Sequence, residues 1–472
     1  MNTYFFYDLE TTGLNKTFDQ ILQFAAIRTD MAFNEIERHD FKVKLRPDII
    51  PSPNATTTHR ISIAESMQGI NEFEAISQIH RLINQPNTIS IGYNTSKFDD
   101  EFLRFGFHRN LLPPYNHQYK NGCRRMDLLP ITNIYYLYNR DVLNWPEIEG
   151  KPTMRLEEIS KANELATGQA HNAMVDVEAS LELARRFSSK APEMWQYLSG
   201  YFETEIDTKR INNMPLSFQS IACTNRVGLM IANQYGSDNN YQIPVLLIGN
   251  SIAYPKQTLW LRLDEPDLCD KPPEKTTAVR KKYGEPNIIL PAHQRYWDTL
   301  SQDRQGIVEE NQDWLQSHTK QFHEIIQYHR EFTYTQIPDL DIEAALYQRK
   351  FLSSQELNLC REFHQSRDLP KRVEILQKFG DMEMRQLASR LLCRNYPDNN
   401  LPEMLTKDFE DYMSRVNPQN EDDAYQDHKG NKRTTPLRAL AGIKKLKTDS
   451  ASTLDTQQLE LLDELERHIK GE

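Results

Sequence analysis

The chain opens MNTYFFYDLE, an apolar run at Thr3–Tyr7 that leads straight into two acids two positions apart, Asp8 and Glu10. The run reads as a strand. Side chains at i and i+2 of a strand project to one face. Both carboxylates therefore leave the strand end together, beside the turn Thr11-Thr12-Gly13. Two anions held close raise each other's pKa unless a cation neutralises them. Oxygen-only donors suit magnesium or manganese better than zinc. A solvated strand end carrying two harmless acids would show the same pattern, so the pair alone leaves both readings open.

The segments after this pair restrict the fold. Ile21–Arg28 and Phe41–Leu45 read as two more strands, Asn71–Ile83 as a helix with Phe73, Ile76, Ile79 and Ile83 on one face, and Thr88–Ile91 as a strand. Helices are expected over Asp99–Phe107, Asp127–Tyr138 and Ala173–Phe187. Three strands followed by alternating helix and strand predict a mixed sheet flanked by helices, ending near residue 190 at SSKAP. Strands over Leu216–Cys223, Val245–Ile248 and Thr258–Leu263 then predict a small β domain, with DEPDLCDKPPEK as an exposed loop and helices from Trp297 to Tyr328. From residue 341 the pattern is helical, at Leu352–Phe363, Arg372–Phe379, Arg385–Arg394 and Leu459–His468, with a polar loop over 417–433.

A chain of 472 residues fits two to four domains. Mean hydropathy is −0.69, and no run of 18 apolar residues predicts a membrane span. The N-terminus has no basic stretch followed by a long apolar one, so no secretory signal is expected and the chain reads as cytoplasmic. Its five cysteines are scattered, with no CxxC spacing, which argues against a disulfide framework or a structural zinc site. The net charge of −11 is not that of a generic nucleic-acid binder, but it leaves room for a local basic groove.

Two further clusters carry chemistry. Phe98-Asp99-Asp100 follows the strand and Gly92-Tyr93-Asn94 and opens a helix. An acid there is favoured by the helix dipole, and the sequence does not choose between Asp99 and Asp100 for a functional role. In AHNAMVDVEAS, His171 sits in a loop and Asp176 in the first two turns of the next helix. A loop histidine beside a metal-binding acid can act as a general base.

Taken in chain order, Asp8, Glu10, Asp99, His171 and Asp176 resemble the DEDD superfamily of 3′→5′ exonucleases in its histidine variant. DLETTG resembles the first motif, NTSKFDDEF the second and HNAMVD the third. Over residues 1–200, the segments FYDLETTG, DQILQFAAIRTD, GYNTSKFDDEFLR, LNWP and MRLEEISKANELATGQAHNAMVDVEAS resemble the bacterial exonuclease I family. That resemblance implies an α/β fold in three parts. These are a ribonuclease H-like exonuclease domain with a mixed sheet (1–192), an SH3-like β domain (193–340) and a C-terminal helical domain (341–472). It implies 3′→5′ degradation of single-stranded DNA to deoxynucleoside 5′-monophosphates, in DNA repair, recombination and mismatch correction.

The resemblance also implies two Mg2+ ions about 4 Å apart, with Mn2+ able to substitute. Asp8, Glu10, Asp99 and Asp176 would hold them, and His171 would take a proton from the attacking water. Arg155, Arg104 and Tyr197 match positions that the family links to substrate, with Glu10 contributing there as well. The tail of single-stranded DNA-binding protein is implied as a partner. Two basic positions expected for that contact are Asn139, with Arg140 adjacent, and Met214 here; the run Lys444–Lys447 is a further candidate, with a solvated helix face as the alternative reading. Arg124, Arg125, Arg280–Lys282, Tyr283 and Tyr241 are candidates for a basic, aromatic path along the strand. A single site without coiled-coil heptads reads as a monomer. The same chemistry on RNA ends, or a non-catalytic strand-holding module, are the competing readings.

Overall fold

The computed structural model describes residues 1–169, 171–397, 401–449 and 453–472. Its first part is built on β1 (Thr3–Thr11), β2 (Ile21–Thr29) and β3 (Glu35–Lys42). Helices α1 (Pro53–His59), α2 (Ile63–Met67) and α3 (Glu72–Ile83) follow, then β4 (Thr88–Gly92), α4 (Asp99–Arg109), β5 (Arg124–Asp127) and α5 (Leu128–Tyr138). The sheet order is β3-β2-β1-β4-β5. β1 runs antiparallel to β2 and parallel to β4, and β4 is parallel to β5. The expected mixed sheet is thus present.

β1 lies in the middle of the sheet, and its alternate residues feed two cores. Tyr4 and Phe6 join Ala25 and Ile27 on one face; Phe5, Tyr7 and Leu9 join Phe24 on the other. Helices cover both faces, which is why TYFFY is apolar throughout instead of alternating. α6 (Leu156–Asn163) and α7 (Ala173–Lys190) lie on the first face, α3 and α4 on the second. Two short helices, α8 (Pro192–Ser199) and α9 (Thr204–Asn212), continue the chain. Trp195, Leu198, Tyr201 and Phe202 belong to the first core.

The middle part is an antiparallel five-stranded sheet of β6 (Val227–Ile231), β7 (Gln242–Asn250), β8 (Thr258–Arg262), β9 (Ala278–Lys281) and β10 (Ile288–Pro291), in the order β9-β8-β7-β6-β10. α10 (Gln302–Ser317) and α11 (Thr319–Glu331) cover one face with Val308, Leu315, Phe322 and Ile325. Ile231, Tyr241, Ile288 and Leu290 pack into the first core instead.

The last part is helical: α12 (Ser354–Gln365), α13 (Leu369–Lys378), α14 (Met382–Asn395), α15 (Glu403–Val416), α16 (Pro436–Asp449) and α17 (Thr456–Lys470). Phe73 and Leu111 of the first part enter its core. A buried ionic joint ties the two parts. Arg394 bonds Asp48 at 2.8 Å and Glu343 at 2.5 Å, and Arg390 bonds Asp341 at 2.8 Å. Breaking one partner of such a cluster strands a buried charge, which costs about 3–5 kcal/mol.

Two expectations shift, and one strand was not expected. The strand expected at Phe41–Leu45 lies earlier, ending at Lys42; buried Val43 has an isolated bridge to Ile70 and donates its N–H to the Leu22 carbonyl at 2.8 Å. In Leu216–Cys223 only Phe218–Gln219 pairs, with Thr224–Asn225. The next apolar run, VGLMI, is instead an inner strand of that domain, flanked by β7 and β10.

Candidate active site

Three chain segments deliver the four acids. Asp8 and Glu10 leave the C-terminal end of β1, where pairing with β2 shifts register between Glu10 and Thr11. Asp99 opens α4 and is 4% exposed. The loop before it is held by Asp127, whose carboxylate accepts from the backbone N–H of Asn94 at 2.8 Å, Ser96 at 3.2 Å and Leu129 at 3.0 Å. Asp127 thus caps α5 and fixes the entry to α4 at once. Asp176 stands in the first turn of α7, behind the N-cap Asn172, whose side chain accepts from the Met174 N–H. His171 precedes that cap with a φ of +59°, a left-handed conformation that costs a non-glycine residue about 1–2 kcal/mol and turns the chain sharply.

The carboxylates act on one another. Burial, then Asp99, Asp176 and Glu10, raise Asp8 well above the usual carboxylate range. Burial, with the charges of Asp176 and Asp99, pushes Glu10 up to about 9. Asp99 is raised by burial against the backbone N–H groups that stabilise its charge. Asp176 is pushed up to about 6 by burial, opposed by His171. No Lys or Arg forms an ion pair with any of the four among the described residues. Glu10, His171 and Asp176 each offer a ligand atom within 4.8 Å of the others. Hard oxygen donors left without a counter-charge fit a divalent cation.

Asp100 has a different setting. Its carboxylate accepts from the Tyr7 hydroxyl at 3.0 Å and pairs with Arg125, and His117 lies 3.8 Å away. Burial opposes its ionisation, yet Arg125 and His117 win and hold it below the usual range. Asp99 therefore faces the acid cluster, and the neighbouring acid ties α4 to the sheet.

The comparisons with known proteins agree with this geometry. The Exonuclease family model matches residues 5–184. These residues, about two fifths of the chain, are thus similar to that family. Exodeoxyribonuclease I of Haemophilus influenzae is 38% identical to the chain over 198 residues, 41% of this chain and 42% of that protein. That of Escherichia coli is 38% identical over 200 residues, 42% of each. The alignment thus spans about two fifths of those relatives. A crystal structure of E. coli exonuclease I in complex with a dA16 oligonucleotide matches over 100% of both chains, with a TM-score of 0.84 and 22% identity. A crystal structure of SSB/Exonuclease I in complex with the inhibitor CFAM matches with a TM-score of 0.81 and 22% identity, over 100% of this chain and 99% of that one. The three-part fold is therefore shared along the whole chain, including the part where sequence similarity is low.

Around the exonuclease domain, the candidate strand-binding residues separate into free and committed groups. Arg155, at the N-cap of α6, is exposed and its guanidinium has no partner among the described residues. Tyr197 is 42% exposed, with the Arg210 guanidinium 4.0 Å from its ring centre and its hydroxyl 3.1 Å from that of Tyr201. Arg104 is turned inward, paired with Glu101 and within 3.3 Å of Gln118 Oε1 and 3.4 Å of the Tyr347 hydroxyl.

Several other candidates do not line an open path. Lys281 is fully buried with Asp207 at 2.8 Å, and Tyr241 is buried with its hydroxyl on the Pro152 carbonyl at 2.6 Å. Arg124 pairs with Glu203 at 2.8 Å, and Arg125 bridges Asp100 and Glu285. Arg280 donates to the His329 carbonyl at 3.1 Å. Met214 is buried, Arg140 lies over the Tyr136 ring at 4.4 Å, and Lys447 pairs with Asp463 and Glu466.

Sequence reasoning missed Glu157. Its Oε2 lies 3.9 Å from His171 Nε2, and its charge raises Asp176. It also missed Asp127. The one signal for Asp127 was its place at the end of a short strand before an apolar helix, a common N-cap position.

Proposed function

We propose that the protein degrades single-stranded DNA from its 3′ end and releases deoxynucleoside 5′-monophosphates. The observation that carries the reading is the convergence of Asp8, Glu10, Asp99 and Asp176, without counter-charges, beside His171 in an exonuclease domain. The whole-chain likeness to exonuclease I, including the form solved with dA16, supports single-stranded DNA as substrate. Asp8, Glu10, Asp99 and Asp176 would hold two Mg2+ ions, for which Mn2+ could substitute, and the ions would supply charge neutralisation at the phosphodiester.

His171 accepts the proton of the attacking water at a ring nitrogen. Glu157 faces that ring and orients it. Arg155 contacts a substrate phosphate, and Tyr197 and Arg104 belong to the strand-binding surface. The chain acts as a cytoplasmic monomer in repair, recombination and mismatch correction, with domains over 1–192, 193–340 and 341–472. The tail of single-stranded DNA-binding protein is its proposed partner, supported by the solved SSB/Exonuclease I structure.

The test is a 5′-labelled DNA oligomer with Mg2+, wild type beside Asp176→Ala, with matched RNA and blunt duplex. A ladder shortening from the 3′ end on single-stranded DNA, lost in the variant, is expected. Strong RNA digestion with little DNA digestion would move the assignment to a ribonuclease. Binding of the strand without any digestion would overturn the catalytic reading.

A further inference from the structure

The loop that follows Glu10 meets a loop of the helical domain. Residues Leu14–Thr17 and Asp427–Lys432 enclose a cavity of about 270 Å3. The two loops are joined by a hydrogen bond from Asn15 Nδ2 to Asp427 Oδ2 at 3.2 Å. Asp427 also accepts from the backbone N–H of Lys429 at 2.8 Å and of Asn431 at 2.9 Å, which fixes the shape of its loop. Glu101 of α4 also lines it, and Lys16 Nζ lies 5.0 Å from the ring centre of Phe98, the residue before Asp99.

Three lysines reach this place, and their commitments differ. Lys432 is used up, bonding Asp422 at 2.6 Å and the Glu421 carbonyl at 3.2 Å. Lys16 and Lys429 have no carboxylate partner within ion-pair distance among the described residues. The nearby acids are occupied. Glu101 pairs with Arg104, Asp19 accepts from the Asn15 N–H at 2.8 Å, and Asp427 holds its own loop. Burial, then the charge of Lys429, lowers the Lys16 ammonium from its ordinary value, against the pull of Glu101, Asp19 and Asp427. Two unpaired cations pressed together from separate domains are costly unless an anion joins them.

We propose that Lys16 and Lys429 form a cross-domain subsite for a backbone phosphate of the bound single strand, next to the reacting end. This deepens the proposed exonuclease function and rests on it. The subsite makes the helical domain a direct participant in strand binding. It also accounts for an overall acidic protein holding a polyanion, since the positive field is local.

The test is the salt dependence of binding of a 5′-fluorescein oligo-dT to the full chain in EDTA, for wild type, Lys16→Ala, Lys429→Ala and the double variant. On single strands each phosphate contact contributes about 0.7 to the slope of log affinity against log salt. For the one phosphate held between the two lysines, the double variant is expected to lower the slope by about 0.7 and each single variant by part of that. Lys16→Arg and Lys429→Arg should restore it, which a fold defect would not allow. An unchanged slope in the double variant, with wild type binding the oligomer and digesting it in Mg2+, would overturn the subsite alone. Wild type that neither binds nor digests single strands would overturn the exonuclease function, and the subsite with it.

Discussion

Replacing Glu10 by glutamine should make the metal-free protein more stable, although it removes a functional group. Burial and the charges of Asp176 and Asp99 push the Glu10 carboxyl from 4.5 to about 9. At pH 7 the unfolded chain has released this proton and the folded chain retains it. Holding a proton at pH 7 on a group that ionises at 4.5 when unfolded costs about 3 kcal/mol, at 1.36 kcal/mol per pH unit. Because the folded pKa is raised, the penalty is absent below the unfolded value. It grows as pH climbs from about 4.5 toward 9, and at pH 5 it is under about 1 kcal/mol.

Glutamine keeps the shape and never has to bind the proton. For a unit of this size about 3 kcal/mol corresponds to roughly 6–12 °C in Tm, less whatever the buried amide loses in hydrogen bonding. The assay is thermal unfolding in EDTA and in Mg2+ at pH 5, 7 and 8. In EDTA the variant should melt higher than wild type, by a margin that widens with pH. In Mg2+ the order should reverse, because the cation stabilises the intact acid cluster. A Glu10→Gln protein that melts at or below wild type in EDTA at pH 8 would refute the argument that the acids are held in unrelieved repulsion.

Other perturbations test the supports of the site. Gly92→Ala places a Cβ against the Thr95 side chain and 3.0 Å from the Tyr7 carbonyl, so it should shift the turn that delivers Asp99 and lower divalent-cation affinity at least tenfold by titration calorimetry. Arg125→Ala strands the buried Asp100 carboxylate and should cost about 3 kcal/mol in urea unfolding, most of it regained in the Arg125→Ala/Asp100→Asn double variant. The joint at Asp48 and Glu343 should fail in acid. Burial opposes their ionisation, but Arg394 leads the arginines that hold both carboxyls below the usual range. The joint therefore stabilises the fold above the ordinary carboxylate pKa and is lost as pH falls further. Arg394→Ala should weaken that pH dependence, with Arg46, Arg390 and Arg433 left to hold the two carboxyls, read by hydrogen exchange of α14.

The first domain was legible because its strands are long and its helices periodic. TYFFY, ILQFAAIR and the Phe73–Ile83 stripe each bury enough apolar surface to reveal themselves. The middle domain was legible in part: β7, β8 and the covering helices were, while β6, β9 and β10 were not, the last two for a local reason. β9 reads AVRK and β10 reads IILP, four residues each, one carrying two charges and the other ending in proline. They are strands because β8 and β6 offer them open edges, and a pairing partner distant in sequence leaves no period to detect. The helices α15 and α16 escaped for the converse reason: their buried faces are thin, Leu405, Tyr412 and Val416 in one, Ala439 and Ile443 in the other.

The site shows the same division. Strand geometry was enough to put Asp8 and Glu10 on one face, and a loop before a helix was enough to set His171 beside Asp176. Choosing between Asp99 and Asp100 required partners that lie far along the chain. Both acids open the same helix and both are buried. The difference is that Tyr7, His117 and Arg125 converge on Asp100, while Asp99 faces only other carboxylates and backbone N–H groups. A buried acid with a guanidinium partner is satisfied and structural. One surrounded by its own kind is satisfied only when a cation arrives. That distinction is one of tertiary electrostatics, and it is the reason adjacent aspartates can carry opposite roles.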